Sequence, residues 1–151
     1  MSDGRLPIGL AMIVCDNIHV DPNTGKRTIL GTLTNIRSQT FPKVQPLLCV
    51  YMALTECYGP FEFTYRIVDA DEARKPVHET RGAVTGSLIG PLAIMELDLR
   101  LTKLTFPAPG EYRFQFVVRG SVVSERRLFV DDPRSHTRSF TPSATPPPDP
   151  S

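Results

Sequence analysis

Apolar and polar residues alternate with period two through most of this chain, most regularly in its last third. Tyr112, Phe114, Phe116 and Val118 are separated by Arg113, Gln115 and Val117, with Glu111 ahead of them. That pattern predicts a strand with one face in a core and the other largely in solvent. Pro107-Ala108-Pro109-Gly110 breaks the chain before it. Gly120 supplies the positive φ that a tight hairpin needs, and Leu128 to Val130 bring the chain back beside the strand. Two registers fit this hairpin. A three-residue loop, Val118-Arg119-Gly120, sets Phe116 opposite Val122 and places Leu128 and Val130 on the face of Tyr112. A two-residue loop, Arg119-Gly120, puts Phe129 on that face instead. The first buries more apolar groups and is the expected one.

The same reading applies upstream. Ile8 to Val20 is a long apolar strand, covered on both faces over part of its length. Asp21 to Lys26 forms a turn, and Thr28 to Ile36 follows as the second arm of a hairpin, with Gly31 marking a bulge or a close backbone approach. Arg37 to Pro46 is a polar connection long enough to cross between sheets. Leu47 to Glu56 and Phe61 to Ile67 are alternating strands separated by the turn Cys57-Tyr58-Gly59-Pro60. Asp69 to Pro76 is a charged turn. Val77 to Leu88 is weaker strand material, interrupted by Gly82 and Gly86, and is assigned to a sheet edge. Met95, Leu97, Leu99 and Leu101 alternate with Glu96, Asp98 and Arg100, which favours a strand over a helix, because a helix would flank a buried Leu99 with charges.

Seven to nine short strands with regular turn signals predict an all-β fold, an antiparallel β-sandwich of immunoglobulin-like or related Greek-key type. The Tyr112 that follows Pro109-Gly110 is placed like the tyrosine at the start of a late strand in such sandwiches. The expected organisation is a frayed segment 1–7, a sandwich domain 8–131 and a tail 132–151. Beyond Asp131 the chain holds six of its fifteen prolines together with Ser and Thr and no apolar period, so the tail is expected to be disordered.

Charge and cysteine content narrow the function classes. Seventeen Lys+Arg against sixteen Asp+Glu give a net charge of +1, so no whole-molecule field draws in nucleic acid or a membrane surface, and neither is an expected partner. Cys15, Cys49 and Cys57 are odd in number and lie in or beside apolar runs. They are read as buried thiols of a cytoplasmic protein. The apolar run from Leu6 to Cys15 contains Pro7 and Gly9 and is read as the first strand rather than a signal peptide.

Several motifs, Val14-Cys15-Asp16, Asp21 to Lys26 with Gly25, Leu30-Gly31, Phe41-Pro42, Phe106-Pro107 to Phe114 and Glu125-Arg126-Arg127, together resemble a bacterial domain family of unknown function, the DUF6941 group, over most of residues 10 to 130. The resemblance implies a β-sandwich-like domain and carries no functional residues with it.

The candidate chemistry is sparse. Gly25-Lys26 lacks the glycine five residues earlier that a phosphate-binding loop needs, since Val20 stands there. His19, His78 and His136 fall on separate elements, and the cysteines form no Cys-x-x-Cys, so zinc ligation is not expected. A nucleophilic Cys15 or Cys49 would need an orienting His that spacing does not supply. Asp69, Asp71 and Glu72 share one loop and are the weak alternative for a divalent cation, with Asp16, Asp21, Asp131 and Asp132 as possible additions. Tyr51, Tyr58 and Phe41 are the only material for a stacking platform. No catalytic residue and no cofactor is assigned.

The favoured expectation is a non-catalytic interaction or assembly module. It binds a partner protein, or further copies of itself, through the sheet edge at Arg81, Ala83, Val84 and Thr85, with the tail as an accessory. The alternative is a small-ligand or cation-binding sandwich using the acidic loops.

Overall fold

Residues that alternate in the sequence alternate between core and surface in the structure. The computed structural model describes residues 5–71, 74–85 and 92–132. The tail beyond Asp132, Glu72, Gly86 and Leu88 lie outside the described residues. Among the described residues there are nine strands and no helix: β1 (Ile8–Val20), β2 (Arg27–Thr32), β3 (Asn35–Arg37), β4 (Lys43–Thr55), β5 (Phe61–Asp69), β6 (His78–Val84), β7 (Met95–Phe106), β8 (Gly110–Val118) and β9 (Ser121–Asp131). They form a sheet in the order β2-β1-β4-β7, called sheet A, and a sheet in the order β3-β9-β8-β5-β6, called sheet B. β3 lies parallel to β9, and the other pairings are antiparallel.

The core lies between the two sheets. From sheet A, Leu48, Val50, Met52 and Leu54 are fully buried. From sheet B, Tyr65, Ile67, Phe114, Phe116, Val118, Leu128 and Val130 meet them. The intervening residues of β8 face outward, as alternation requires. At the β7–β8 corner the Tyr112 hydroxyl donates to the Ala108 carbonyl at 2.6 Å, and its ring packs edge-on to Phe106. This is the tyrosine corner of immunoglobulin-like sandwiches, and it ties the start of β8 to the loop that delivers it.

Three sequence expectations are corrected. The stretch 28–36 is not one strand. Leu33 still donates to the Val14 carbonyl in sheet A, whereas the Thr34 carbonyl accepts from Phe129 in sheet B. The chain therefore changes sheets between these two residues and buries Ile36 from the other side. The connection expected over residues 37–46 does cross between the sheets, from β3 in sheet B to β4 in sheet A, but it is shorter than expected, because β4 already begins at Lys43 and runs through Pro46. Pro46 is tolerated there because β4 pairs with β1 only from Cys49 to Thr55, which leaves Pro46 a single neighbouring strand.

The closing hairpin is the third correction. Val118 pairs with Ser121, so the loop is the two-residue Arg119-Gly120, with φ of 50° and 77°, the double positive φ of a type I′ turn. Phe116 faces Ser124 rather than Val122. An extra residue, Val123, bulges from β9 between the Val117–Val122 and Phe116–Ser124 pairs. That bulge shifts the phase by one residue, so Leu128 and Val130 still point into the core while Phe129 remains exposed.

The outer face of sheet A carries a fold-over that the sequence does not announce. Arg27 pairs with Val20 at the far end of the β1–β2 hairpin. Asp98 lies in the row of Tyr51 and Ile13, on the opposite border of the sheet. In a flat sheet these residues would stand roughly 25 Å apart. Instead, Arg27 Nε donates to both Asp98 oxygens at 2.7 and 2.8 Å, and its Nη1 donates to Glu96 at 3.1 Å. Glu96 also accepts from the Tyr51 hydroxyl, and Arg100 donates to Asn17 at 3.0 Å. The hairpin therefore bends over the sheet, and Ile18 and Ile29 seal Cys15 and Cys49 beneath it. The bend falls where Gly31 takes a φ of 67° against Asp16. A Cβ on Gly31 would stand 2.3 Å from the Asp16 carboxylate, so only glycine fits.

Phe114→Ala should lower the unfolding free energy by about 3–5 kcal/mol, and Arg113→Ala by less than about 1 kcal/mol, as read from denaturant midpoints; equal losses would invert the assigned faces. Arg27→Ala should loosen the hairpin and raise the native-state reactivity of Cys15 and Cys49 toward a thiol reagent by about tenfold. Unchanged rates would mean that the Arg27 contacts do not hold the hairpin down.

Candidate binding edge

β6 closes one border of sheet B, and among the described residues no strand pairs with its far side. Its register with β5 is unbroken from Ile67 opposite His78 to Phe61 opposite Val84. His78, Thr80, Gly82 and Val84 turn toward the core side and are half-buried, whereas Glu79, Arg81 and Ala83 turn outward and are exposed. The sequence suggests that Gly82 weakens this strand. In the structure the Phe63 ring occupies its place, since a Cβ on Gly82 would lie 2.6 Å from Phe63 Cζ. Phe63 in turn packs on Phe116, with ring centroids 4.8 Å apart. The glycine thus makes room for an aromatic anchor, and the strand is tied to the core from its neighbour.

The four residues assigned to the edge come together at one border. Arg81 and Ala83, with Glu62, Thr64, Val117 and Arg119, line a hollow of about 560 Å³. Ala83, Val84 and Thr85 line a second hollow of about 460 Å³ with Pro60, Phe61 and Arg119. Thr85 lies just past the end of β6. The Arg119 side chain, from the β8–β9 turn, is common to both hollows and also donates to the Arg5 carbonyl at 2.9 Å. Its place at this border was not legible in the sequence, where Arg119 reads only as a turn residue.

The core side of β6 holds the chemistry of this edge. Burial lowers the pKa of the His78 imidazole from its ordinary 6.5, and its Nε2 is hydrogen-bonded to the Thr80 hydroxyl. The ring is therefore neutral at pH 7, and the core side of the strand carries no charge.

The remaining sequence candidates do not converge. Asp69 and Asp71 line a hollow of about 330 Å³ together with Glu111, but Arg74 lines it as well, and Glu72 lies outside the described residues. Asp21 serves the β1–β2 turn, where its carboxylate accepts from the Asn23 and Thr24 amides at 2.7 and 3.1 Å. Asp16 lies against Gly31 on β2. Among the described residues no three His, Cys, Asp or Glu are placed to share a metal ion. Cys15, Cys49 and Cys57 are buried free thiols. Burial pushes the thiol pKa of Cys15 and Cys57 upward, the opposite of what activates a cysteine nucleophile. Of the stacking candidates, Tyr51 is bound to Glu96, Tyr58 lies under the Arg5 guanidinium at 4.7 Å, and Phe41 packs against the core.

A two-sheet β-sandwich with a tyrosine corner and an open border strand is the class of protein that this fold and edge define. The chain belongs to a family of unknown function, DUF6941, whose pattern it matches over residues 10–131. No curated protein matches it. Among solved structures it is similar to the Pseudomonas fluorescens alkylpurine DNA glycosylase AlkC bound to DNA containing an abasic site analog. The identity is 12% and the TM-score 0.37, with 79% of this chain and 30% of that chain covered. This chain thus spans under a third of that protein, and a likeness at that score supports no statement about activity. Among the described residues no helix is long and apolar enough to cross a membrane.

The state of His78 gives a pH dependence with a defined sign. A depressed folded-state pKa contributes stability above the unfolded value of 6.5 that is lost as pH falls through the folded value. β6 amides should therefore lose protection relative to β8 amides in hydrogen exchange below pH 6.5, after correction for intrinsic rates, and His78→Gln should abolish the difference. Parallel behaviour of both strands in the parent chain would exclude His78 as the cause.

Proposed function

We propose that this protein is a non-catalytic interaction module that adds an extended strand of a partner protein to β6. The observation that carries the proposal is the far side of β6, which no strand pairs among the described residues, beside the two hollows lined by Ala83 and Arg119. An open edge offers main-chain N–H and C=O groups that fix a guest strand in register, and neighbouring hollows take up its alternate side chains. The buried thiols support a reducing compartment and a cytoplasmic setting. The acidic-loop alternative is the weaker reading, because Arg74 lines the same hollow as Asp69 and Asp71.

A photoactivatable side chain at position 83 tests this reading in cells of the protein's own host. Position 83 should give discrete cross-linked species, and position 105, an exposed site on β7 in the other sheet, should give none. Equal labelling, or none at position 83, would remove β6 as the site.

A further inference from the structure

Taking β6 as the binding edge, which the following rests on, we infer that the strand it accepts is β6 of a second copy of this chain, paired antiparallel about Thr80. Sheet A offers β2 and β7 as border strands, and sheet B offers β3 and β6. β2 contains the left-handed Gly31 and follows the hairpin over the sheet. β3 has three residues. β7 contains the left-handed Lys103, and its outward Glu96 and Asp98 are held by Arg27. β6 alone among these borders is regular, seven residues long and free of proline and positive φ.

Its charge pattern then selects one occupant and one register. Two copies joined edge to edge about a twofold axis keep the same face of each sheet on the same side, so outward residues meet outward residues. Three registers bring the outward charges of β6 into the centre of such a pair. Centring on Glu79 stacks two carboxylates, and centring on Arg81 stacks two guanidinium groups, both unfavourable. Centring on Thr80 sets Glu79 opposite the partner's Arg81 and Arg81 opposite the partner's Glu79, while Thr80 meets its own copy on the core side. The Arg81 side chain is 83% exposed and reaches its own Glu79 only at 3.6 Å, so it is available to a closer acceptor. The core side brings no charge to the joint, since Thr80 and Gly82 are neutral and the His78 pKa is lowered. The result is one continuous sheet made from two five-stranded ones. A seven-residue edge buries little surface, so the association is weak and falls further as salt rises.

The charge pattern supplies its own test. In Glu79→Arg both opposed pairs become Arg against Arg, and in Arg81→Glu both become Glu against Glu. In a mixed dimer of the two variants every pair is again opposite in sign. Sedimentation equilibrium of the full chain from about 10 to 500 μM should show reversible dimerisation of the parent, weakened about tenfold or more in each single variant. A 1:1 mixture of the folded variants should recover association to within about threefold of the parent. A parent chain that stays monomeric throughout, or single variants that dimerise as the parent does, would overturn the inference. Folded variants that fail to recover on mixing would do the same. A monomeric parent that still cross-links another protein from position 83 would sink the self-pairing and leave the binding edge standing; loss of both signals would sink both.

Discussion

Everything in this fold depends on the interleaving of the β8 and β5 aromatics with the aliphatic face of β4. Phe114 and Phe116 from β8, and Tyr65 from β5, press on Leu48, Val50, Met52 and Leu54. Tyr65 stacks on Phe114 at 6.4 Å, and Phe61 meets Phe116 edge-on. Because β4 and β8 are both interior strands, a slip of one residue in either would turn its whole apolar set outward, so these two elements fix the register of their sheets. The burial is strong enough to carry a defect. The Tyr65 hydroxyl is enclosed with no hydrogen-bond partner among the described residues, at a cost of about 1–3 kcal/mol, and desolvation holds it firmly as the neutral phenol.

Closing two sheets on one core leaves borders, and the chain treats each differently. The unpaired flanks of β1 and β9 approach one another. Gly9 lies so near the Val123 carbonyl that a Cβ would stand 2.8 Å from it, directly beside the β9 bulge. β3 covers the end of β9, and the β1–β2 hairpin folds over sheet A. The outer face of sheet B is occupied by polar side chains that serve one another. Arg66 donates to Gln115, Gln115 donates to Glu125, and Arg127 pairs with Glu111. Such pairs contribute little stability individually. Their effect is to pair the polar groups of that face with one another, while the far side of β6 has no paired strand among the described residues.

How much of this could be read in advance varies with how local the cause is. The buried faces of β5, β7 and β8, and the tyrosine at the corner, follow from alternation and from Pro109-Gly110, and they stand as expected. The sheet switch does not, because Ile29, Leu30, Leu33 and Ile36 look continuous whether or not the chain leaves sheet A at Leu33. The hairpin illustrates the same limit. The preference for burying Leu128 and Val130 was sound, but the device that achieves it is a bulge at Val123 combined with a left-handed Arg119, and neither residue type signals such geometry. The Arg27–Asp98 contact joins residues 71 positions apart, and no local pattern encodes it. For the edge, the interruptions at Gly82 and Gly86 in the sequence assigned this strand to a border, where β6 lies, but nothing there points to Arg119, which another hairpin brings to it.

The role of Gly82 also bears on how the edge works. A glycine in a border strand ordinarily leaves the backbone loose, and a loose strand must be ordered before it can template another. Here Phe63 fills the space that Gly82 vacates and rests on Phe116, so the weakest residue of β6 is held by the strongest part of the core. On the same side of the strand, the Thr80 hydroxyl engages the His78 ring. The strand is thus fastened from within while its outward side chains, Glu79, Arg81 and Ala83, remain free of the sandwich. In the proposed strand addition, that separation would let one short segment serve as part of the fold and as a preordered row of hydrogen-bonding groups. The entropy of ordering β6 is met by folding, so the proposed association would have to offset only that of the arriving strand.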